Sequence, residues 1–155
     1  MNIIYTDGSC SPNPGEGGWG LVCYVGGFVL EDCGYSHHTT NNEMEMMAFF
    51  TSLSFLHPTL PNIIYSDSRY VINEIINNKH THITNGKITG WLENQITNKR
   101  QIKNLELWMK IYNKIKNEQL TFELRWVKGH NTSEGNNRAD WLANQGRLQN
   151  FDLIE

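Results

Sequence analysis

The sequence predicts an α/β domain built on a five-stranded mixed sheet. Three antiparallel N-terminal strands are followed by parallel strands, with helices on both faces. Three observations lead there. The first 35 residues hold three strand-like segments and no helical pattern. The later strand-like segments alternate with helical ones, the arrangement that builds parallel pairs. The chain has 155 residues, 39% of them apolar, with no linker, repeat or low-complexity tract. That is enough for one core and too little for two.

The elements follow in order. Asn2–Asp7 is a short apolar strand ending in the turn-rich stretch Gly8–Gly18. Trp19–Val25 and Phe28–Tyr35 read as two strands joined at Gly26-Gly27, a hairpin signal. Thr39-Thr40-Asn41-Asn42 offers N-caps for a helix over about Glu43–Leu56, apolar almost all round and therefore suited to the middle of a domain. Pro58 and Pro61 break the chain before Ile63-Ile64-Tyr65, a continuous apolar run of the kind buried in parallel sheets. Asp67 closes that strand, and a helix follows over about Ser68–Asn77. Lys79–Lys103 is mixed in pattern, with helical character over Ile88–Gln95. Leu105–Ile115 is amphipathic, with Leu105, Trp108, Ile111, Tyr112 and Ile115 on one stripe. Leu120–Val127 alternates as a strand, and a last helix spans about Asn137–Leu148. The folded domain is expected over residues 1–148, with 149–155 as a short tail.

Composition narrows the class. Charged residues make up 19% and aromatics 11%, ordinary for a globular chain. No apolar run approaches the roughly 20 residues of a membrane-spanning helix. The N-terminus lacks a basic region followed by a long apolar one, so no secretory signal is expected. Cys10, Cys23 and Cys33 are odd in number and lack CxxC spacing, which argues against a disulfide framework or zinc site. A cytoplasmic, monomeric protein is the default expectation. The net charge of -3 is unevenly spread. Residues 1–78 carry one cation, Arg69, against eight acids, whereas residues 79–128 carry ten cations against four acids. Such asymmetry suggests an acidic centre in one part and a phosphate-facing surface in another, although a solvated helical face would look the same.

Four carboxylates fall where element ends can gather them. Asp7 and Asp67 each close a short apolar strand, at the edge where open α/β sheets bind ligands. Glu45 lies early in the central helix and Asp140 early in the last one. Singly, each has another explanation in turn formation, capping or the helix dipole. Together they would repel one another strongly, and such clusters persist when they hold hard cations. Two magnesium ions roughly 3.5–4 Å apart can stabilise the attacking and leaving oxygens of an in-line phosphoryl displacement.

Five blocks of sequence carry a resemblance. They are Thr6-Asp7-Gly8-Ser9-Cys10 with Asn13-Pro14-Gly15 and Gly17-Gly18-Trp19-Gly20; Thr39-Thr40-Asn41-Asn42-Glu43-Met44-Glu45-Met46-Met47-Ala48; Ser66-Asp67-Ser68-Arg69-Tyr70-Val71; Trp126-Val127-Lys128-Gly129-His130; and Asn136-Asn137-Arg138-Ala139-Asp140 with Leu142-Ala143. In this order, over residues 5–145, they resemble the type 1 ribonuclease H family. The resemblance implies a ribonuclease H-like fold and an endonuclease that hydrolyses the RNA strand of RNA/DNA hybrids, leaving 3′-hydroxyl and 5′-phosphate ends. Resolvase, integrase and transposase cores share the fold but lack the second and fourth blocks. A hybrid-binding module without activity would not need all four acids.

The resemblance also implies roles. Asp7, Glu45, Asp67 and Asp140 match the acids that bind two Mg²⁺ ions, which Mn²⁺ can replace. His130 matches a loop histidine that assists proton transfer or product release, work an imidazole can do near neutral pH. Asn13, Asn41 and Asn42 match minor-groove contacts, and Thr40 a phosphate contact on the DNA strand. Asn136, Lys87 and Trp91 are further expected substrate contacts. The chain departs from the family twice. Lys79–Lys103 is less basic than the usual protrusion, and Arg69 stands where a glutamine is usual, adding an expected phosphate contact.

Overall fold

The computed structural model describes residues 1–75, 80–88, 103–128 and 133–153. The elements run β1 (Asn2–Cys10), β2 (Gly15–Val25), β3 (Phe28–Thr39), α1 (Asn41–Ser52), a 3-10 turn (Leu53–Phe55), β4 (Asn62–Ser66), α2 (Arg69–Ile75), β5 (His80–Ile83), α3 (Leu105–Asn117), β6 (Phe122–Trp126) and α4 (Glu134–Arg147). The expected α/β architecture is present. The expected helical segment Ile88–Gln95 lies, beyond Ile88, outside the described residues.

One sheet runs through the domain in the order β3-β2-β1-β4-β6-β5. β1 pairs antiparallel with β2 and parallel with β4, and β4 pairs parallel with β6. The sheet therefore has six strands, not five. The sixth, β5, pairs antiparallel along the outer edge of β6, with Ile83 opposite Phe122 and His80 opposite Arg125. Without it, β6 would leave a row of unpaired backbone groups at an edge. The turn that follows has positive φ at Asn85 (52°) and Gly86 (74°), the conformation Asn-Gly pairs favour. It is fastened by Gly86 N–H donating to the Leu120 carbonyl at 2.9 Å.

The N-terminal strands are longer than the sequence suggests, because Gly8–Gly18 is mostly strand rather than loop. Ser9 and Cys10 pair with Gly18 and Gly17. Glycine has poor strand propensity, and packing overrides it here. A Cβ on Gly18 would lie 2.2 Å from the Arg147 nitrogen, and one on Gly20 2.6 Å from the Ala143 nitrogen. α4 thus rests directly on the backbone of β2.

Two apolar layers sandwich the sheet. On one face Ile4, Leu21, Ile64 and Leu124 meet Met46, Phe49 and Leu53 of the α1 segment and Trp108, Ile111 and Ile115 of α3. This explains why α1 is apolar almost all round: the sheet lies on one side of it, and α2 and α3 pack against another. On the opposite face Val22 meets Ala139 and Leu142 of α4. Among the described residues, no helix is long and apolar enough to cross a membrane.

Candidate active site

Register brings the acids together. Thr6 is paired with Ser66 at the last rung of the parallel β1–β4 ladder, so Asp7, still within β1, and Asp67, just past the end of β4, are neighbours where that ladder ends. Glu45 arrives on α1, whose N-cap is Thr40: its hydroxyl oxygen accepts from Glu43 N–H at 3.1 Å. The approach of α1 depends on Gly8, where a Cβ would sit 2.4 Å from the Glu45 nitrogen. Asp140 comes from the other face of the sheet, on α4, capped by Ser133. Carboxylate oxygens of Asp7, Glu45 and Asp67 all lie within 4.8 Å of one another. Asp140 lines the same open cleft of about 520 Å³, together with Ser9, Cys10, Asn41, Asn42, Ser68, Arg69 and Tyr70.

The cluster is electrostatically loaded. Asp7 is buried, 6% exposed, and accepts a hydrogen bond from Gly8 N–H at 2.8 Å. Burial pushes its carboxyl up to about 8; the charges of Asp67 and Asp140 add to the rise, and contact with Glu45 opposes part of it. Glu45 is also raised well above the usual carboxylate range, first by burial and then by the charges of Asp7 and Asp67. Part of Glu45 reaches the surface, but its Oε1 is enclosed and has no hydrogen-bond partner among the described residues. An enclosed, unpartnered carboxylate oxygen among other carboxylate oxygens fits a hard divalent cation, which binds through oxygen ligands. Asp7, Glu45, Asp67 and Asp140 could hold it.

Arg69 is exposed at the start of α2, with its guanidinium 4.4 Å from the centre of the Trp126 ring. Trp126 is itself anchored, its indole N–H donating to the Asp67 carbonyl at 3.3 Å. Asn13 Oδ1 accepts from Asn41 N–H at 3.1 Å, tying the β1–β2 loop to the start of α1. Asn41 and Asn42 line the cleft.

Two expected contacts sit elsewhere. Lys87 is exposed on the turn after β5, at the end of the sheet opposite the carboxylates. Asn136 is 2% exposed, one helical turn before Asp140, and its Oδ1 has no hydrogen-bond partner among the described residues. Trp91 and His130 lie outside the described residues. Sequence reasoning passed over Ser9, Cys10, Ser68 and Tyr70. Of these, Ser68 had a signal, since serine favours helix N-caps, and its hydroxyl accepts from Val71 N–H at 3.1 Å. The Tyr70 hydroxyl joins α2 to α3, accepting from the Trp108 indole at 3.1 Å and donating to the Lys103 carbonyl at 3.3 Å.

The RNase H family model matches residues 1–147. The chain belongs to the RNase H family. Its relatives include the ribonuclease H of Chlorobium phaeobacteroides (strain BS1), 41% identical over 153 residues and 95% of both chains. That of Prosthecochloris aestuarii is 42% identical over 148 residues and 96% of both chains. Among solved structures, LC11-RNase H1 in complex with an RNA/DNA hybrid aligns with a TM-score of 0.64 at 25% identity, covering 97% of this chain and 99% of that one. RNase H1 of the archaeon Halobacterium salinarum NRC-1 shares the fold, with a TM-score of 0.60 at 21% identity, over 96% of this chain and 98% of that one. The chain is accordingly a nuclease, a hydrolase of the RNase H type.

Proposed function

We propose that this protein is an endoribonuclease that hydrolyses the RNA strand of RNA/DNA hybrids, using divalent cations held by Asp7, Glu45, Asp67 and Asp140. The observation that carries the reading is the meeting of three carboxylate oxygens within 4.8 Å, with Asp140 beside them, in an open cleft. Magnesium is the expected ion, two with substrate, and manganese a substitute. When bound, such ions supply charge stabilisation to both the attacking and the leaving oxygen of an in-line displacement. Water attacks the phosphorus and the P–O3′ bond breaks, leaving a 3′-hydroxyl and a 5′-phosphate.

The chain's own groups bind and orient. Asn41 and Asn42 offer amide donors and acceptors, which suit a 2′-hydroxyl that both donates and accepts and so separates RNA from DNA. Asn13 stiffens this region by holding Asn41 N–H, and Thr40, still free to donate its hydroxyl proton, suits a phosphate of the DNA strand. Arg69, ordered on Trp126, meets a phosphate of the cut strand. The resemblance assigns His130 a proton-shuttling role and Trp91 a hybrid contact. The reading carries with it a monomeric, cytoplasmic enzyme with its catalytic domain over residues 1–148.

The test is cleavage of an end-labelled RNA/DNA hybrid in magnesium, beside single-stranded RNA, RNA duplex and DNA duplex. The expected result is cutting of RNA in the hybrid alone, abolished by Asp7→Asn. Hybrid binding without cleavage in either metal would sink the assignment, as would a preference for duplex DNA.

A further inference from the structure

Ser9 forms part of the cleft wall two residues beyond Asp7, and there α4 is tied to β1. The Ser9 hydroxyl donates to Asn144 Oδ1 at 2.8 Å, and Arg147 Nε donates to Ser9 Oγ at 3.0 Å. Arg147 Nη2 donates to the same Asn144 oxygen at 3.4 Å, and Asn144 Nδ2 donates to the Asp140 carbonyl at 3.1 Å. The Arg147 backbone is fixed as well, seated against Gly18. Its side chain is therefore half-buried and held before any ligand arrives.

Arg147 nevertheless keeps an uncompensated charge. Among the described residues no carboxylate pairs with it, and its hydrogen bonds go only to the neutral Ser9 and Asn144. Arg138 on the same helix is different, because Glu31 takes it in a two-pronged pair. Neutral donors would tie α4 to β1 equally well. Arg69 is likewise unpaired with any carboxylate among the described residues and is fixed by an aromatic ring. It lines the cleft beside Asp67, whereas Arg147 adjoins the cleft through Ser9, a lining residue whose hydroxyl it holds on the β1–α4 side. Two ordered cations flanking an acidic centre fit a ligand whose negative charge repeats along its length, as a nucleic-acid backbone does.

We infer that Arg147, held by Ser9 and Asn144, is a second phosphate anchor for the substrate, taking a backbone phosphate on the opposite side of the cut from the one held by Arg69. This rests on the hybrid-nuclease reading above and adds to it a residue pointed out by its unspent charge. Preorganisation by the two hydrogen bonds the Arg147 side chain makes lowers the side-chain entropy lost when the phosphate is bound.

The experiment measures hybrid affinity by fluorescence anisotropy across a potassium chloride series in magnesium. An Asp7→Asn background keeps the hybrid intact, and Arg147→Gln and Arg147→Lys are each added to it. Arg147→Gln is expected to weaken binding about five- to tenfold near 0.1 M salt. It should also flatten the slope of log Kd against log salt by about 0.7–0.9, the loss of one phosphate contact. Arg147→Lys should restore the slope, because the charge remains. An unchanged slope and affinity in Arg147→Gln overturn the inference. So does weakened binding with an unchanged slope and a reduced Mn²⁺ affinity, measured calorimetrically in the otherwise wild-type chain, since Arg147 would then act only by seating α4. If the background chain binds no hybrid at any salt, the hybrid-nuclease reading falls too, and that failure is recognised before any arginine is changed.

Discussion

Replacing Asp7 with asparagine should make the protein more stable when no divalent cation is present, while destroying its activity. The carboxyl titrates near 3.8 in the unfolded chain and about 8 in the fold, because burial and neighbouring carboxylates oppose its ionisation. A group whose folded value is raised costs nothing below its unfolded value. Its cost grows as pH climbs through the interval and levels off above the folded value. In chelator the wild-type protein should therefore lose stability as pH rises from about 4 to about 8. At 1.36 kcal/mol for each pH unit the ceiling at pH 7 is about 4 kcal/mol. Water in the open cleft and proton sharing with Glu45 reduce this, leaving about 2–4 kcal/mol. Asparagine keeps an oxygen for Gly8 N–H and carries no charge. For a chain of this length the gain corresponds to roughly 6–12 °C in Tm. The assay is thermal unfolding by circular dichroism in EDTA at pH 5 and pH 8, repeated in magnesium. The Asp7→Asn advantage should be large at pH 8, smaller at pH 5, and eroded by magnesium, which stabilises wild type more. Equal melting at pH 8 in EDTA, or a less stable variant, would refute the claim that the acids repel one another in the absence of a cation.

Three other outcomes follow from particular contacts. Gly8→Ala places a methyl group against the Glu45 backbone, so kcat should fall at least about a hundredfold as α1 shifts, with Tm also lowered; single-turnover kinetics and melting together check this. Arg69→Gln removes the cation stacked on Trp126, and KM should rise about five- to tenfold with kcat within about twofold, read from steady-state kinetics at fixed salt. Gly86→Ala puts a Cβ 2.6 Å from the Ile115 carbonyl oxygen at a positive φ, and urea unfolding should report a loss of about 2 kcal/mol while kcat at 25 °C stays unchanged.

The acids were legible because each depends on local signals. Asp7 and Asp67 follow short apolar runs that need little context to place, although only Asp67 stands at a strand end and β1 runs on to Cys10. Glu45 sits early in a helix whose caps the sequence offers; Asp140 stands mid-helix, because α4 begins at Glu134 rather than near Asn137, but the motif blocks bound all four to one site. The glycines misled, since Gly8–Gly18 has the composition of a turn. What makes it strand is the closeness of α1 and α4, partners that lie beyond the whole of β3 in the sequence. β5 stayed hidden because His80–Ile83 has no apolar alternation. Lys87 was grouped with the basic segment by sequence proximity, yet β5 runs away from the cleft and carries it to the opposite end of the sheet. Arg147 belongs to no motif, and its place beside Ser9 appears only once α4 is docked.

That docking also bears on how the enzyme should fail when heated. α4 lies on β2 with no layer of side chains between helix and strand at Gly18 and Gly20. A contact of this kind cannot loosen by degrees, since no cushion of rotamers exists to deform. Asp140 can turn about its own side-chain bonds, but its anchor point moves only if the whole rod moves. The fourth carboxylate is thus an all-or-none part. Turnover should keep rising with temperature until α4 lifts off, and then vanish together with the fold rather than fading ahead of it.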